Sequence, residues 1–208
     1  MEEQLDVFKR NLEAFALKYK KDINKNPEFR RQFQIMCQSI GVDPLASKKG
    51  FWSELLGVGD FYYHLAVQIV EVCLRTRGSN GGLIELSELK RHLEKKRKGE
   101  GGISDDDIER AIKKLKELGE GFDIFTVGST KMVQSVPCEL NSDHTAVLAL
   151  AQGTNFVTSS LVQRKLGWNP QRIATALDLL LQEGMAWIDD QAEERERRYY
   201  FPSLMTAK

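Results

Sequence analysis

IERAIKKLKELGEGF (residues 108–122) and IATALDLLLQEGMAW (residues 173–187) carry one apolar pattern, repeated after about 65 residues. Ile108 falls on Ile173, Ala111 on Ala176, Ile112 on Leu177, Leu115 on Leu180, Gly119 on Gly184 and Phe122 on Trp187. Spacings of three and four are those of a helix with one buried face. The glycine that follows each run ends it, because glycine takes the left-handed conformation of a helix C-terminus without steric cost.

The flanks repeat as well. Ahead of the first copy, Leu83-Ile84-Glu85 reads as a short strand and Ser87 as the cap of a helix to about Lys98. Gly99–Gly102 is a loop, and Ser104 caps the patterned helix, with Asp105, Asp106 and Asp107 in its first turn, where acids suit the helix dipole. Phe122–Val127 and Lys131–Val136 alternate like strands around Gly128-Ser129-Thr130. The second copy predicts a helix from Ser142 to about Ala151, a strand at Phe156-Val157 and a helix capped by Thr158 or Ser159. Asn169-Pro170 then opens the long helix, and Met185–Asp189 pairs with Arg198–Phe201. Helix, strand, helix, helix and two-stranded wing is the winged-helix order, met twice.

Upstream, Leu5, Phe8, Leu12, Phe15 and Tyr19 form a helical stripe. Asn26-Pro27 opens a second helix with Phe29, Phe33, Met36, Cys37 and Ile40 inward, so the first forty residues predict an antiparallel helical hairpin. A strong helix runs from Asp60 to about Arg77 with Phe61, Leu65, Ile69, Val72 and Cys73 on its apolar face, and it stops at Gly78-Ser79-Asn80-Gly81-Gly82. The expected architecture is mainly α with small β wings. A hairpin with an apolar joint occupies residues 1–59, one winged helix residues 60–138 and another residues 139–208.

Thirty Lys and Arg cancel thirty Asp and Glu, so the chain as a whole generates no field that favours nucleic acid or anionic membrane. Three scattered cysteines, no CxxC pair and no signal-peptide pattern point to a reducing compartment, cytosol or nucleus. No apolar run approaches membrane-span length.

Chemistry-bearing motifs are scarce. Gly57-Val58-Gly59 follows a helical turn rather than a strand and lacks the third glycine of a dinucleotide loop, so it reads as a joint, with Asp60 capping the next helix. His64, His92 and His144 have no second ligand at metal spacing, and Asp143-His144 reads as a helix start rather than part of a triad. No cofactor, metal or catalytic residue is expected. Winged helices commonly bind DNA through the recognition helix. Here that helix mixes Arg110, Lys113, Lys114 and Lys116 with five acids in the first copy, and in the second it carries Arg172 with Asp178 and Glu183. The basic run KRHLEKKRK (residues 90–98) reads as a solvated helix face. Nucleic-acid binding is therefore the weaker alternative, and protein contact the stronger. Trp187, Tyr199, Tyr200 and Phe201 on the second wing, beside Asp189 and Asp190, suit an interface anchor, although strand alternation commits about half of them to the domain's own core.

The block from PEFRRQFQIMCQSIGVDPLASKKG through FWSELLGVGDFYYHLAVQIVEVCL (residues 27–74) closely resembles the Snf-eight/Vps-twenty-two (EAP-thirty) family of ESCRT-II subunits, as do NGGLIELSELKR, IERAIKKLKELGEGFDI, QSVPCELNSDHT and LLQEGMAWID. The resemblance covers essentially the whole chain. It implies a non-enzymatic scaffold that pairs with a Vps-thirty-six-type subunit and holds a Vps-twenty-five-type subunit. The complex sorts ubiquitinated cargo into multivesicular bodies, and the chain's membrane association is indirect, through that complex. The implied location is cytoplasmic, with recruitment to endosomes. A link of the family to transcription elongation keeps a nuclear role as the alternative. By segment, the resemblance places partner contacts at Trp187, Asp189 and Asp190. Trp52, in the apolar joint, and Phe61 and Tyr62, at the start of the long helix, are the further candidates.

Overall fold

The computed structural model describes residues 2–39, 58–117, 119, 121–192 and 196–205. Its elements follow the expected order. Helices α1 (Glu2–Lys18), α2 (Lys20–Lys25) and α3 (Pro27–Ser39) come first. The first winged helix comprises α4 (Val58–Asn80), β1 (Leu83–Glu85), α5 (Leu86–Lys96), α6 (Asp105–Lys116), β2 (Asp123–Val127) and β3 (Thr130–Gln134). The second comprises α7 (Ser142–Ala151), β4 (Phe156–Thr158), α8 (Ser159–Leu166), α9 (Pro170–Gln182), β5 (Trp187–Asp189) and β6 (Arg198–Tyr200), closed by a 3-10 turn at Pro202–Leu204. Each three-stranded sheet places the last strand between the other two, β1-β3-β2 and β4-β6-β5. The chain divides into two compact units, residues 1–69 with 90–111, and residues 70–89 with 112–208.

In the first unit, α1 and α2 form one arm and α3 the other. Asn26 makes the reversal: its Oδ1 accepts from Glu28 N at 3.0 Å and Phe29 N at 3.2 Å, satisfying donors that a helix start leaves free. Phe15 stacks on Phe29 and Phe33 at 5.9 and 6.4 Å, and Leu12, Ala16, Ile23, Phe33 and Cys37 are buried. Phe29 and Met36, expected inward, are only half-buried, and Ile40 lies outside the described residues. The inward face of α3 is completed by Arg30 and Gln34, both buried.

Arg30 has every guanidinium nitrogen engaged. Nε and Nη2 donate to the two oxygens of Asp107, each at 2.7 Å, Nη1 donates to the carbonyls of Ile23 and Asn24, and Nη2 also to that of Gly102. Asp107 accepts three more hydrogen bonds, from Ser104 N at 2.9 Å, Ser104 Oγ at 2.8 Å and the Tyr62 hydroxyl at 2.7 Å. Gln34 Nε2 donates to that hydroxyl at 2.5 Å, and the guanidinium lies 4.0 Å from the Phe61 ring centroid. Burial pushes the Asp107 carboxyl up, but the Arg30 hydrogen bonds and charge, with Ser104 and Tyr62, leave it below the ordinary carboxylate value. Ser104 is the expected cap of α6, and Asp107 is at once its capping-box partner and the counter-ion of the hairpin.

Two starts differ from expectation. Strand β1 passes directly into α5 at Leu86, and Ser87 Oγ donates to Glu85 instead of capping the helix. Helix α4 already includes Val58 and Gly59, so Asp60 stands inside its first turn, and the joint falls before residue 58, outside the described residues.

The second unit has one core that draws on both winged helices. Leu83, Val127, Met132 and Val136 of the first pack in a single cluster with Val147, Val157, Ile173, Leu177, Leu180 and Phe201 of the second. Gly81 shows how close the backbones come. It has φ +64°, and a Cβ there would lie 2.4 Å from Gly184 O and 2.8 Å from Met185 Cα. Gly81→Ala adds left-handed strain to a backbone clash, and is expected to lower unfolding stability by about 1–3 kcal/mol, read by urea denaturation.

Candidate partner interface

Antiparallel register decides which wing residues look outward. Phe156 pairs with Tyr200 and Tyr200 with Trp187, so these three share one row and one face of the sheet. Thr158, Arg198 and Asp189 form the second row on that face. The row between them, Val157–Tyr199–Ile188, points the other way: Val157 and Tyr199 are buried, while Ile188 on the edge strand is partly exposed. The alternation thus divides the wing aromatics, with Tyr199 and Phe201 in the core and Tyr200 and Trp187 outward.

The outer face is a ladder of π surfaces with a cation in it. The Phe156 and Tyr200 centroids are 5.2 Å apart, and Arg198 Cζ lies 4.9 Å from the Phe156 centroid. Trp187 ends the ladder on the edge strand and is 51% exposed. The two neighbouring aspartates are not equivalent. Asp190 is held by Arg197 through bonds of 2.6 and 3.1 Å, which keep its carboxyl low. Asp189 accepts from Gln191 N at 2.8 Å and has no ion pair among the described residues. Glu196 accepts from Ser160 N at 2.8 Å, tying the wing to the start of α8. Phe156 and Arg198 were not singled out from sequence; the hairpin register places them beside Trp187.

Of the other candidates, Trp52 lies outside the described residues. Phe61 and Tyr62 are buried in the first unit and committed to the Arg30–Asp107 cluster, while the next residue, Tyr63, is 67% exposed. His64, placed by sequence on a buried helix, is exposed.

The recognition helices offer little positive field. Arg172 on α9 is bidentate with Asp143 at 2.8 and 2.7 Å, and on α6 Arg110 pairs with Asp106, Lys114 with Glu117 and Lys116 with Asp123. Cations already matched by carboxylates leave little for phosphate.

Asp143 and His144 mark the start of α7. Asn141 accepts from the backbone of both, and Asn141 N donates to His144 Nδ1 at 3.1 Å, a capping box with histidine as the returning acceptor. Burial lowers the His144 pKa, against the opposing charge of Asp143. Protonation abolishes the acceptor, so this stabilisation is intact above the ordinary histidine value near 6.5 and is lost as pH falls below it. Between pH 7 and 5 the wild type is expected to lose more thermal stability than His144→Gln, whose amide oxygen preserves the cap without titrating.

The family model described as the EAP30/Vps36 family matches residues 1–190. The chain belongs to that family. Among EAP30/Vps36 relatives, the vacuolar-sorting protein SNF8 of Dictyostelium discoideum is 60% identical over 207 residues, covering 98% of this chain and 83% of that protein. The Homo sapiens SNF8 is 58% identical, covering 99% and 80%. The Saccharomyces cerevisiae SNF8 is 39% identical, covering 99% and 85%. The fold of this family member matches a chain in a solved structure of the ESCRT-II endosomal trafficking complex with TM-score 0.77 and 37% identity, over 100% of this chain and 94% of that one. A crystal structure of endosomal complex ESCRT-II (VPS22/VPS25/VPS36) gives TM-score 0.75 and 39% identity over the same shares.

Proposed function

We propose that this chain is the Vps22-type scaffold subunit of an ESCRT-II complex, assembling with Vps25-type and Vps36-type subunits in endosomal and vacuolar sorting. The carrying observation is the full-length match, in sequence and fold, to a chain of two solved ESCRT-II complexes. The exposed aromatic face of the second wing supplies a surface suited to a partner. Trp187 and Asp189 contact the Vps25-type subunit there, with Asp190 at the rim. Contact from the start of α4 falls to Tyr63, because Phe61 and Tyr62 are engaged inside the chain.

Its role is architectural and not enzymatic. The helical hairpin (residues 1–59), the first winged helix (60–138) and the second (139–208) act as parts of one scaffold. The chain works in the cytoplasm and reaches the endosomal membrane through the complex, where ubiquitinated cargo is passed into multivesicular bodies. The paired cations of α6 and α9 disfavour the nuclear, DNA-contacting alternative.

Co-expression with Vps25-type and Vps36-type subunits, read by native mass spectrometry, tests this reading. The expected species contains all three subunits, with the Vps25 type in two copies. A chain that stays monomeric beside both partners overturns it.

A further inference from the structure

Helix α4 is apolar over more of its circumference than one core face requires. From Phe61 to Leu74 the only formally charged residue is Glu71. At 3.6 residues per turn, aromatic and aliphatic side chains follow one another around about 240° of the helix, where a helix on a protein surface shows a stripe of roughly 100°. His64, Gln68, Glu71 and Arg75 fill the remaining strip. Part of the apolar arc has its cover within the chain, where Phe61, Leu65, Ile69, Val72 and Cys73 are buried. The rest does not. Tyr63, Val67 and Leu74 are 67%, 43% and 61% exposed, with the half-buried Val70 among them.

The exposed part of the arc is a seam. Steps of four, three and four residues, from Tyr63 to Val67, Val70 and Leu74, are the spacing with which one helix packs along another. At 1.5 Å per residue the seam runs for about 17 Å, three helical turns. Val67 and Val70 are the short side chains at its middle, so a neighbouring backbone can approach closely there, and Tyr63 and Leu74 supply the larger contacts at its ends.

We infer that this seam receives a helix of the Vps36-type subunit. The inference rests on the assembly proposed above and gives it a second surface. The second wing is assigned to the Vps25-type subunit, and Tyr63 and Leu74 are the two most exposed large apolar side chains among the described residues. The matching family model is described for EAP30 and Vps36 together, so a Vps36-type subunit is built from the same kinds of element and brings helices of its own. The strip beside the seam carries one acid and one base, Glu71 and Arg75, a balance that favours a protein neighbour over an anionic lipid surface or nucleic acid. A helix laid along the seam removes apolar surface from water and leaves that strip solvated, so no charge is buried unpaired.

The test is the double variant Val67→Lys/Leu74→Lys in the full chain, titrated calorimetrically against each purified partner type, with the Tm of the chain alone measured alongside. Lysine keeps the helix propensity of the segment, and both positions are exposed, so the chain alone is expected to hold its Tm. Affinity for the Vps36-type subunit is expected to fall about a hundredfold, with binding of the Vps25-type subunit unchanged. Trp187→Ala is expected to give the reverse pattern. Wild-type affinity of the double variant for the Vps36-type subunit overturns the inference and leaves the assembly standing. A clear fall in Tm of the chain alone places the seam against the chain's own residues. A concentration-dependent dimer of the wild type that the variant abolishes, with Vps36-type binding unchanged, places it against a second copy. Either result overturns the inference, and a wild type that binds neither partner overturns the proposed function with it.

Discussion

Asp107→Ala is expected to destabilise the folded chain by about 3–5 kcal/mol, because it strands a buried guanidinium without its counter-ion. Arg30 is wholly inaccessible, and its carbonyl partners Ile23, Asn24 and Gly102 supply hydrogen bonds but no neutralising charge. The same change removes the acceptor of the Tyr62 hydroxyl and half of the α6 capping box. Asp105→Ala, at an exposed carboxylate paired with Lys90 at 2.9 Å, is the comparison and is expected to cost under about 1 kcal/mol. The double variant Arg30→Met/Asp107→Leu is expected to recover much of the loss, since replacing both members of a buried pair by apolar residues of similar volume is often nearly neutral. Urea unfolding of the three variants gives the comparison directly. The pH dependence has a fixed sign. The Asp107 carboxyl is depressed in the folded chain, so its stabilisation is present above the ordinary carboxylate value and is lost as pH falls through the folded one. Equal effects of Asp105→Ala and Asp107→Ala would show that the cluster does not hold the hairpin.

The winged-helix order was legible because local signals agreed with the tertiary structure. Asn169 caps α9, with Arg172 N at 2.8 Å from its Oδ1, Pro170 takes the first helical position, and the positions matched in the two copies are core residues at Ile108, Ala111, Ile112, Ile173, Ala176 and Leu177. Between Thr158 and Ser159 only the hydroxyl geometry could choose, and Thr158 Oγ1 accepts from Leu161 N at 3.1 Å. Arg30 was not legible in a reading that assigns charged residues to solvent. Its position did carry a signal, since residues 30, 33, 34 and 37 share one helical face, and a charge and an amide at the core spacing of Phe33 and Cys37 call for a buried counter-ion. The partner, Asp107, was read only as one of three first-turn acids, because nothing local separates it from Asp105 and Asp106. The core common to both winged helices was equally hidden: it depends on contacts far apart in sequence, such as Gly81 against Gly184 and Met185, which periodicity does not report. At the candidate interface, the cluster of aromatics beside two aspartates is legible in the residues, and the family resemblance by segment selects Trp187, Asp189 and Asp190 from it. Phe156 and Arg198 required the strand register.

Trp187→Ala is expected to weaken binding of the Vps25-type subunit by about 2–4 kcal/mol, roughly 30- to 1,000-fold in Kd, while leaving the chain folded. The side chain is large, sits at the end of the Phe156–Tyr200 ladder, and is half exposed in the chain alone, so its truncation removes little from the chain's own packing. A partner that covers it desolvates an indole held in place by a rigid sheet, the circumstance in which tryptophan acts as an anchor. The adjacent aspartates should separate. Asp190 already has its charge answered by Arg197, so Asp190→Ala is expected to change Kd by less than about threefold. Among the described residues Asp189 has only a backbone donor, and a partner arginine reaching it forms a pair shielded by the aromatic row. Asp189→Ala is therefore expected to cost more than Asp190→Ala, mainly through the dissociation rate. Tyr199→Ala is the structural control, since that ring is buried and its loss is expected to lower Tm as well as binding. Calorimetric titration of the four variants against the purified partner, with Tm measured alongside, separates the contributions. An unchanged Kd for Trp187→Ala moves the interface off this face of the wing.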